Sequence, residues 1–367
     1  MQYRRLAIEI ESPEERGYDT IQNNLTESSV RDVRLGDLGL SVDDLVLAYG
    51  DHRGAPRLRE LIATETGGVT SDHMMTTPGA AAALFMVATT LLERGDHAVV
   101  QHTNYSTNLE TPRLIGAEID TLPVRFEDGW AFDVERLESL VRPGDTKLIS
   151  LTVPHNPTGS MISADELAAV VRVAEHAGAW LLIDETYRGL THGALLPSVA
   201  GLSDRAVSVS SLSKSFGLPG IRLGWTATTN PELAERLLAA KEQVVICTSA
   251  LDEAVAEHVL EARERFAAPI RAMVTEHLEI VADWFQSQTL VEWIRPTGGV
   301  VCFPRLVDGV DPDRFYAALN GAGTFVGEGH WFDTSRRYFR LGFGWPTTDE
   351  LRAGLEGITA AAAAAVA

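Results

Sequence analysis

The sequence predicts an α/β fold with a mostly parallel central sheet covered by helices on both faces, joined to a smaller α+β domain. From residue 43 to about 245, amphipathic segments alternate with short apolar runs, the pattern of successive βα units. The runs HAVVQH, TKLISLTV, WLLIDE and AVSVSS are each bounded by polar or glycine punctuation and read as buried parallel strands. After residue 289 the pattern changes, with strand-like pieces separated by single helices, which marks a second unit. At roughly 150 residues per domain, a chain of 367 residues has room for about two.

The elements follow in order. Apolar residues recur at three and four over residues 56–66, 80–94 and 164–176, so each of these is a helix with one face on the sheet. A long helical stretch covers about 230–288, with Pro269 expected to kink or break it. Beyond it, LVEWIRP and GVVCFPR read as strands, 312–320 as a helix and RRYFRLGFG as a strand. The terminal TAAAAAAVA extends a last helix with a frayed end.

Composition excludes several function classes. Lys and Arg number 31 against 51 Asp and Glu, a net charge of −20 without any long block of one sign, which opposes nucleic acid and anionic lipid. Cys247 and Cys302 lie far apart with no ligand spacing, so neither a disulfide framework nor a metal site is expected, and both read as reduced core residues. No apolar run reaches the roughly 18 residues that span a bilayer, and the first residues lack an apolar leader, so the expected location is cytoplasmic.

The chemistry concentrates at strand ends. The segment SVSSLSKSFGLPGIRLGW sets Lys214 just past AVSVSS, beside Ser211 and Ser213 and ahead of Arg222. A lysine so placed can form a Schiff base while hydroxyls and a guanidinium bind a phosphate. WLLIDE sets Asp184 at a carboxyl edge, where open α/β sheets bind ligands, and LTVPHNPTG adds the amide of Asn156. TTPGAAAAL offers Gly79, Ala80 and Ala81 at a helix start, whose free N–H groups suit a phosphate.

With these residues in this order, nearly the whole chain resembles the fold-type I aminotransferase superfamily of pyridoxal phosphate enzymes. The family's lysine motif is matched by Ser211, Ser213, Lys214, Gly220, Arg222, Gly224 and Trp225, its N-P-T-G segment by residues 156–159, and its D-E-x-Y segment by Asp184, Glu185 and Tyr187. The arginine of the last strand, which binds a substrate carboxylate, is matched by Arg340 in YFRLGFG. The resemblance implies an aminotransferase acting on an α-amino acid, with a 2-oxo acid as acceptor, through internal and external aldimines and a quinonoid carbanion. Lys214 would carry the cofactor and move the Cα proton, and Asp184 would pair with the pyridine nitrogen. Asn156 and Tyr187 would bond the ring's 3′ oxygen, while Ser211, Ser213, Arg222 and the amides at 79–81 would anchor the phosphate.

Tyr105 in HTNYSTN stands where the family stacks an aromatic on the ring, although Thr103 replaces the proline usual two residues earlier. Tyr49 in YGDHRG matches the tyrosine that reaches a neighbouring subunit's phosphate, which implies a homodimer with shared sites. The resemblance further implies that residues 1–44 pack over the site as part of the small domain, that 45–245 bind the cofactor, and that 246–367 form a connecting helix and the rest of the small domain. Glu9 and Glu27 are candidates to read a guanidinium or amine on the substrate side chain. The order NLTES, LGDLGL, YGDHRG and DETYRGL is similar to a subgroup containing capreomycidine synthases, which eliminate a hydroxyl from a hydroxyarginine and close a ring. Elimination with cyclisation, and oxidation as in arginine oxidases of related fold, are the alternative outcomes of the same carbanion.

Overall fold

A computed structural model describes residues 3–366. Among them, seven strands form the large sheet, in the order Met74–Thr77, Gly224–Ala227, Ala206–Ser211, Trp180–Asp184, Thr146–Thr152, His97–His102 and Glu118–Pro123. The five from Ala206–Ser211 outward are mutually parallel, whereas Gly224–Ala227 runs antiparallel to both its neighbours. Helices cover both faces. One core packs Ile149, Leu181 and Ile183 against Leu167, Val170 and Ala174 of helix Ala164–Ala177. The opposite core packs Val100, Leu148 and Val207 against Leu84 and Val87 of Gly79–Leu91, a helix whose thirteen residues include no charge. Burial on both faces is why the inner strands are rich in Val, Ile and Leu.

Four short strands form a second sheet in the order Asn23–Leu25, Thr324–Glu328, Phe339–Gly342 and Val301–Cys302. The first pairs parallel with Thr324–Glu328, so residues near the start of the chain are built into a sheet made near its end. Leu25 and Val30 accordingly belong to the core that includes Phe315, Phe339 and Leu355.

The long helical stretch is corrected. It is three helices, Pro231–Val244, Ala250–Glu261 and Arg263–Gln286. The first break falls where Ile246 takes φ +60° and the Ser249 side chain caps the next helix by accepting from the Asp252 N–H. Pro269 lies inside the third helix and ends nothing. Cys302 is buried, but Cys247 is only half-buried, against the expectation that both are core residues; both are free thiols. No helix of the described residues is long and apolar enough to cross a membrane.

Candidate active site

The carboxyl edge of the large sheet collects the chemistry. Asp184 ends its strand, and Tyr105, Asn156 and Lys214 lie just beyond theirs. Arg222 precedes Gly224–Ala227, and because that strand runs antiparallel its amino end reaches the same edge. All five line one cleft of about 390 Å³, together with Ala80, Ala81, Tyr187, Ser211, Ser213 and Arg340.

At one end the helix Gly79–Leu91 points its free N–H groups at the cleft, with no acidic residue in its first turn. Gly79 has φ +79°, and a Cβ there would stand 2.5 Å from Nη2 of Arg222, so glycine lets the guanidinium reach the helix start. Arg222 itself sits at φ +45° and donates from Nη1 to the Pro219 carbonyl at 2.7 Å. Amides, two serine hydroxyls and a guanidinium in one corner suit a phosphate dianion.

The floor is polar and buried. One carboxylate oxygen of Asp184 accepts from the Thr186 N–H at 3.0 Å and its hydroxyl at 2.6 Å. Burial raises this carboxyl above its ordinary value, while the Thr186 bonds and the Lys214 charge oppose the rise. Burial lowers the Lys214 amine, with Glu27 pulling it back up. Arg340 donates to Asn156 Oδ1 at 3.2 Å and to the Thr26 carbonyl at 2.7 Å, and its Nε is buried with no hydrogen-bond partner among the described residues. The Tyr187 hydroxyl donates to the Ser28 carbonyl at 2.7 Å, and burial pushes its pKa up to about 12.

The acidic candidates divide. Glu9 is exposed on the cleft rim, and its two oxygens accept from the Leu6 N–H at 3.0 Å and from the Ser106 hydroxyl at 3.0 Å. Glu27 is half-buried and accepts from the Tyr18 hydroxyl at 3.0 Å; burial raises its pKa and the Lys214 charge lowers it. Glu14 adds a third carboxylate to the lining. Tyr49 does not join this cleft and is 82% exposed. Among the described residues, no group of three or more His, Cys, Asp or Glu side chains could hold a metal ion.

Sequence reasoning missed the residues that hold this set in place. Thr186 was legible in principle, since a hydroxyl two places after an aspartate can bond back to it. Thr26 and Ser28 carry no local signal. His155, buried beneath Asn156, faces the Thr103 carbonyl with Nε2 at 2.7 Å and the Thr158 hydroxyl with Nδ1 at 2.8 Å. Burial holds its pKa down at about 4, so it is neutral, and a carbonyl partner requires that Nε2 carry the proton.

A half-buried lysine, a carboxylate at a strand end, a phosphate corner and an arginine with a free donor together define a fold-type I enzyme that uses pyridoxal phosphate. The residues fit that cofactor: the Gly79 cradle admits Arg222 to the phosphate corner, and Asp184 and Lys214 line the same cleft. The model for aminotransferase class I and II matches residues 24–358, and the chain belongs to that family. Capreomycidine synthase of Streptomyces vinaceus is 28% identical over 356 residues, covering 93% of this chain and 90% of that protein. A pyridoxal phosphate-dependent aminotransferase structure from Streptococcus suis superposes with a TM-score of 0.90 at 29% identity, covering 98% of each chain. The structure of a pyridoxal phosphate-dependent cyclase, OrfR, gives 0.88 at 28% identity over 99% of this chain and 98% of the other.

Proposed function

We propose that the protein is an aminotransferase that takes the amino group from an α-amino acid with a cationic side chain and passes it to a 2-oxo acid. The observation that carries this reading is the meeting of Lys214, Asp184 and Arg340 in one cleft whose lining also includes Glu9, Glu14 and Glu27. Arg340 binds the α-carboxylate, its bidentate fork leaving the amino group directed toward Lys214. Bound pyridoxal phosphate supplies an electron sink that makes the α-proton acidic. Lys214 takes that proton and returns it; burial lowers its pKa, in the direction that favours the neutral amine a base requires. Asp184 holds the pyridine nitrogen, Asn156 and Tyr187 stand at the ring's oxygen, and Tyr105 covers its face. Ser211, Ser213, Arg222 and the amides at 79–81 take the phosphate. Glu27 and Glu14 attract an ammonium or guanidinium at the far end of the substrate.

A second reading is elimination with ring closure, supported by the near full-length similarity to a protein named capreomycidine synthase and to a cyclase structure. It uses the same proton removal and differs only when the substrate carries a leaving group. Two further readings accompany these. The strip around Tyr49 faces a second copy of the chain, and the division at residues 1–44, 45–245 and 246–367 is supported by the pairing of Asn23–Leu25 with Thr324–Glu328.

The test is a panel of amino acids, including arginine and its hydroxylated forms, with and without an added 2-oxo acid. Transamination predicts a change in the cofactor's absorbance that the oxo acid reverses. An unsaturated or cyclic amino acid formed without any oxo acid selects the second reading. No spectral response to any amino acid overturns both.

A further inference from the structure

We propose that Ser28 is a positioning residue for Lys214: its hydroxyl holds the lysine amine at the cleft floor whenever that amine is not covalently engaged, fixing where it stands for proton transfer. Lys214 Nζ donates to Ser28 Oγ at 3.1 Å, and Ser28 is 7% exposed. A lysine amine rides on a flexible four-carbon stem, and an unheld one samples many positions that are useless for moving a proton.

The hydroxyl can serve as a fixed point because the backbone around it is pinned from three sides. The Ser28 carbonyl accepts from Tyr187, the Thr26 carbonyl accepts from Arg340, and the Val30 N–H donates back to the Lys214 carbonyl at 3.3 Å. Glycines make room for this close passage. A Cβ at Gly217 would stand 2.2 Å from the Arg31 carbonyl oxygen, and one at Gly342 would stand 1.8 Å from that of Glu27. Residues 26–31 therefore cannot slide, and Ser28 Oγ keeps its place relative to both Lys214 and Arg340.

The inference rests on Lys214 being the reactive amine, so two measurements are paired. Cofactor-free protein is labelled with trace acetic anhydride across a pH series, and modification of the Lys214 peptide is followed by mass spectrometry. An acceptor on the amine favours its charged form, so Ser28→Ala should lower the labelling midpoint by about one pH unit, a tenfold change in the protonation constant. Ser28→Thr, which keeps the hydroxyl, should restore the wild-type midpoint. The charged groups facing the amine, Glu27, Glu14, Asp184, Arg222 and Arg340, are the same in all three proteins. In turnover, Ser28→Ala should lower kcat about tenfold with KM unchanged. An unchanged midpoint in Ser28→Ala overturns the proposal, as do equal shifts in the Ala and Thr variants. Separately, wild-type protein given pyridoxal phosphate and borohydride should retain the cofactor on the Lys214 peptide. Failure of that step refutes the role of Lys214 and leaves the labelling result to judge Ser28.

Discussion

At the cleft floor, Asp184, Tyr187 and Arg340 are polar groups drawn out of water, while along residues 46–49 Val46, Leu47 and Tyr49 are 76%, 79% and 82% exposed. The two regions depart from the ordinary partition of residues in opposite directions. Buried polar groups are costly unless something satisfies them, and a contiguous exposed apolar strip is unusual on a lone chain. The chain just after the strip is firmly held. The loop behind it is held by the buried Lys241, whose Nζ donates to the His52 carbonyl at 2.6 Å, by His52 against Glu242 at 2.7 Å and by the Ala55 N–H donating to Glu253 at 3.1 Å. Val244, Ile246 and Leu251, on and between the helices that hold it, are exposed as well. The floor offers polar groups to a small ligand, whereas the strip offers apolar side chains to its surroundings, the feature behind the proposal that it meets a second copy of the chain.

That contrast can be broken at either region. The largest effect belongs to the floor. Lys214→Ala should leave no borohydride-fixed cofactor in the mass spectrum and reduce turnover about 10⁴-fold. Retained, reducible cofactor would move the reactive amine elsewhere. Arg340→Gln should raise KM for the amino acid about 100-fold, since one partner of a buried charge pair is removed. An unchanged KM would mean that the free Nε does not meet a carboxylate.

At the strip, Leu47→Asp should weaken association between copies at least about tenfold by placing a charge in an apolar contact, read by light scattering over a dilution series. A wild-type mass equal to one chain at every concentration would break the reading of this surface. The smallest effect concerns a buried carboxyl that no ligand relieves. Glu185 accepts from the Val199 N–H at 2.8 Å, and burial raises its pKa from 4.5 to about 7. The folded state therefore binds more protons than the unfolded state between those values, and this group's contribution to stability is lost as pH rises through about 7. Glu185→Gln should melt a few degrees higher than wild type at pH 8, with the advantage gone at pH 4.5. A difference independent of pH would show that Glu185 does not titrate in that window.

Legibility followed the range of the interactions. Strands buried on both faces, such as His97–His102 and Ala206–Ser211, stand out as apolar runs at their true bounds. The edge strand Glu118–Pro123 is mostly half-buried or exposed, so EIDTLP shows no such run. The break at 245–249 was missed because helical periodicity continues across it, even though Ser249 and Asp252 carry a capping signal. In the cleft, residues whose chemistry is local to a strand end were readable. Thr26 and Ser28 were not, because they act through a backbone carbonyl or through partners fixed only by the tertiary fold: Arg340 lies 314 positions from Thr26 and Lys214 lies 186 from Ser28.

Those separations also order events in time. During synthesis, residues 26–31 leave the ribosome long before Arg340 and Gly342 do. Contacts so distant along the sequence carry the largest loop-closure cost and form late. The large sheet and the Lys214–Ser28 bond need no residue beyond Ala227, whereas the Arg340 bond to the Thr26 carbonyl waits for a segment made much later. A chain cut short of Arg340 would therefore keep the sheet and its lysine but lack the guanidinium that lines the same cleft.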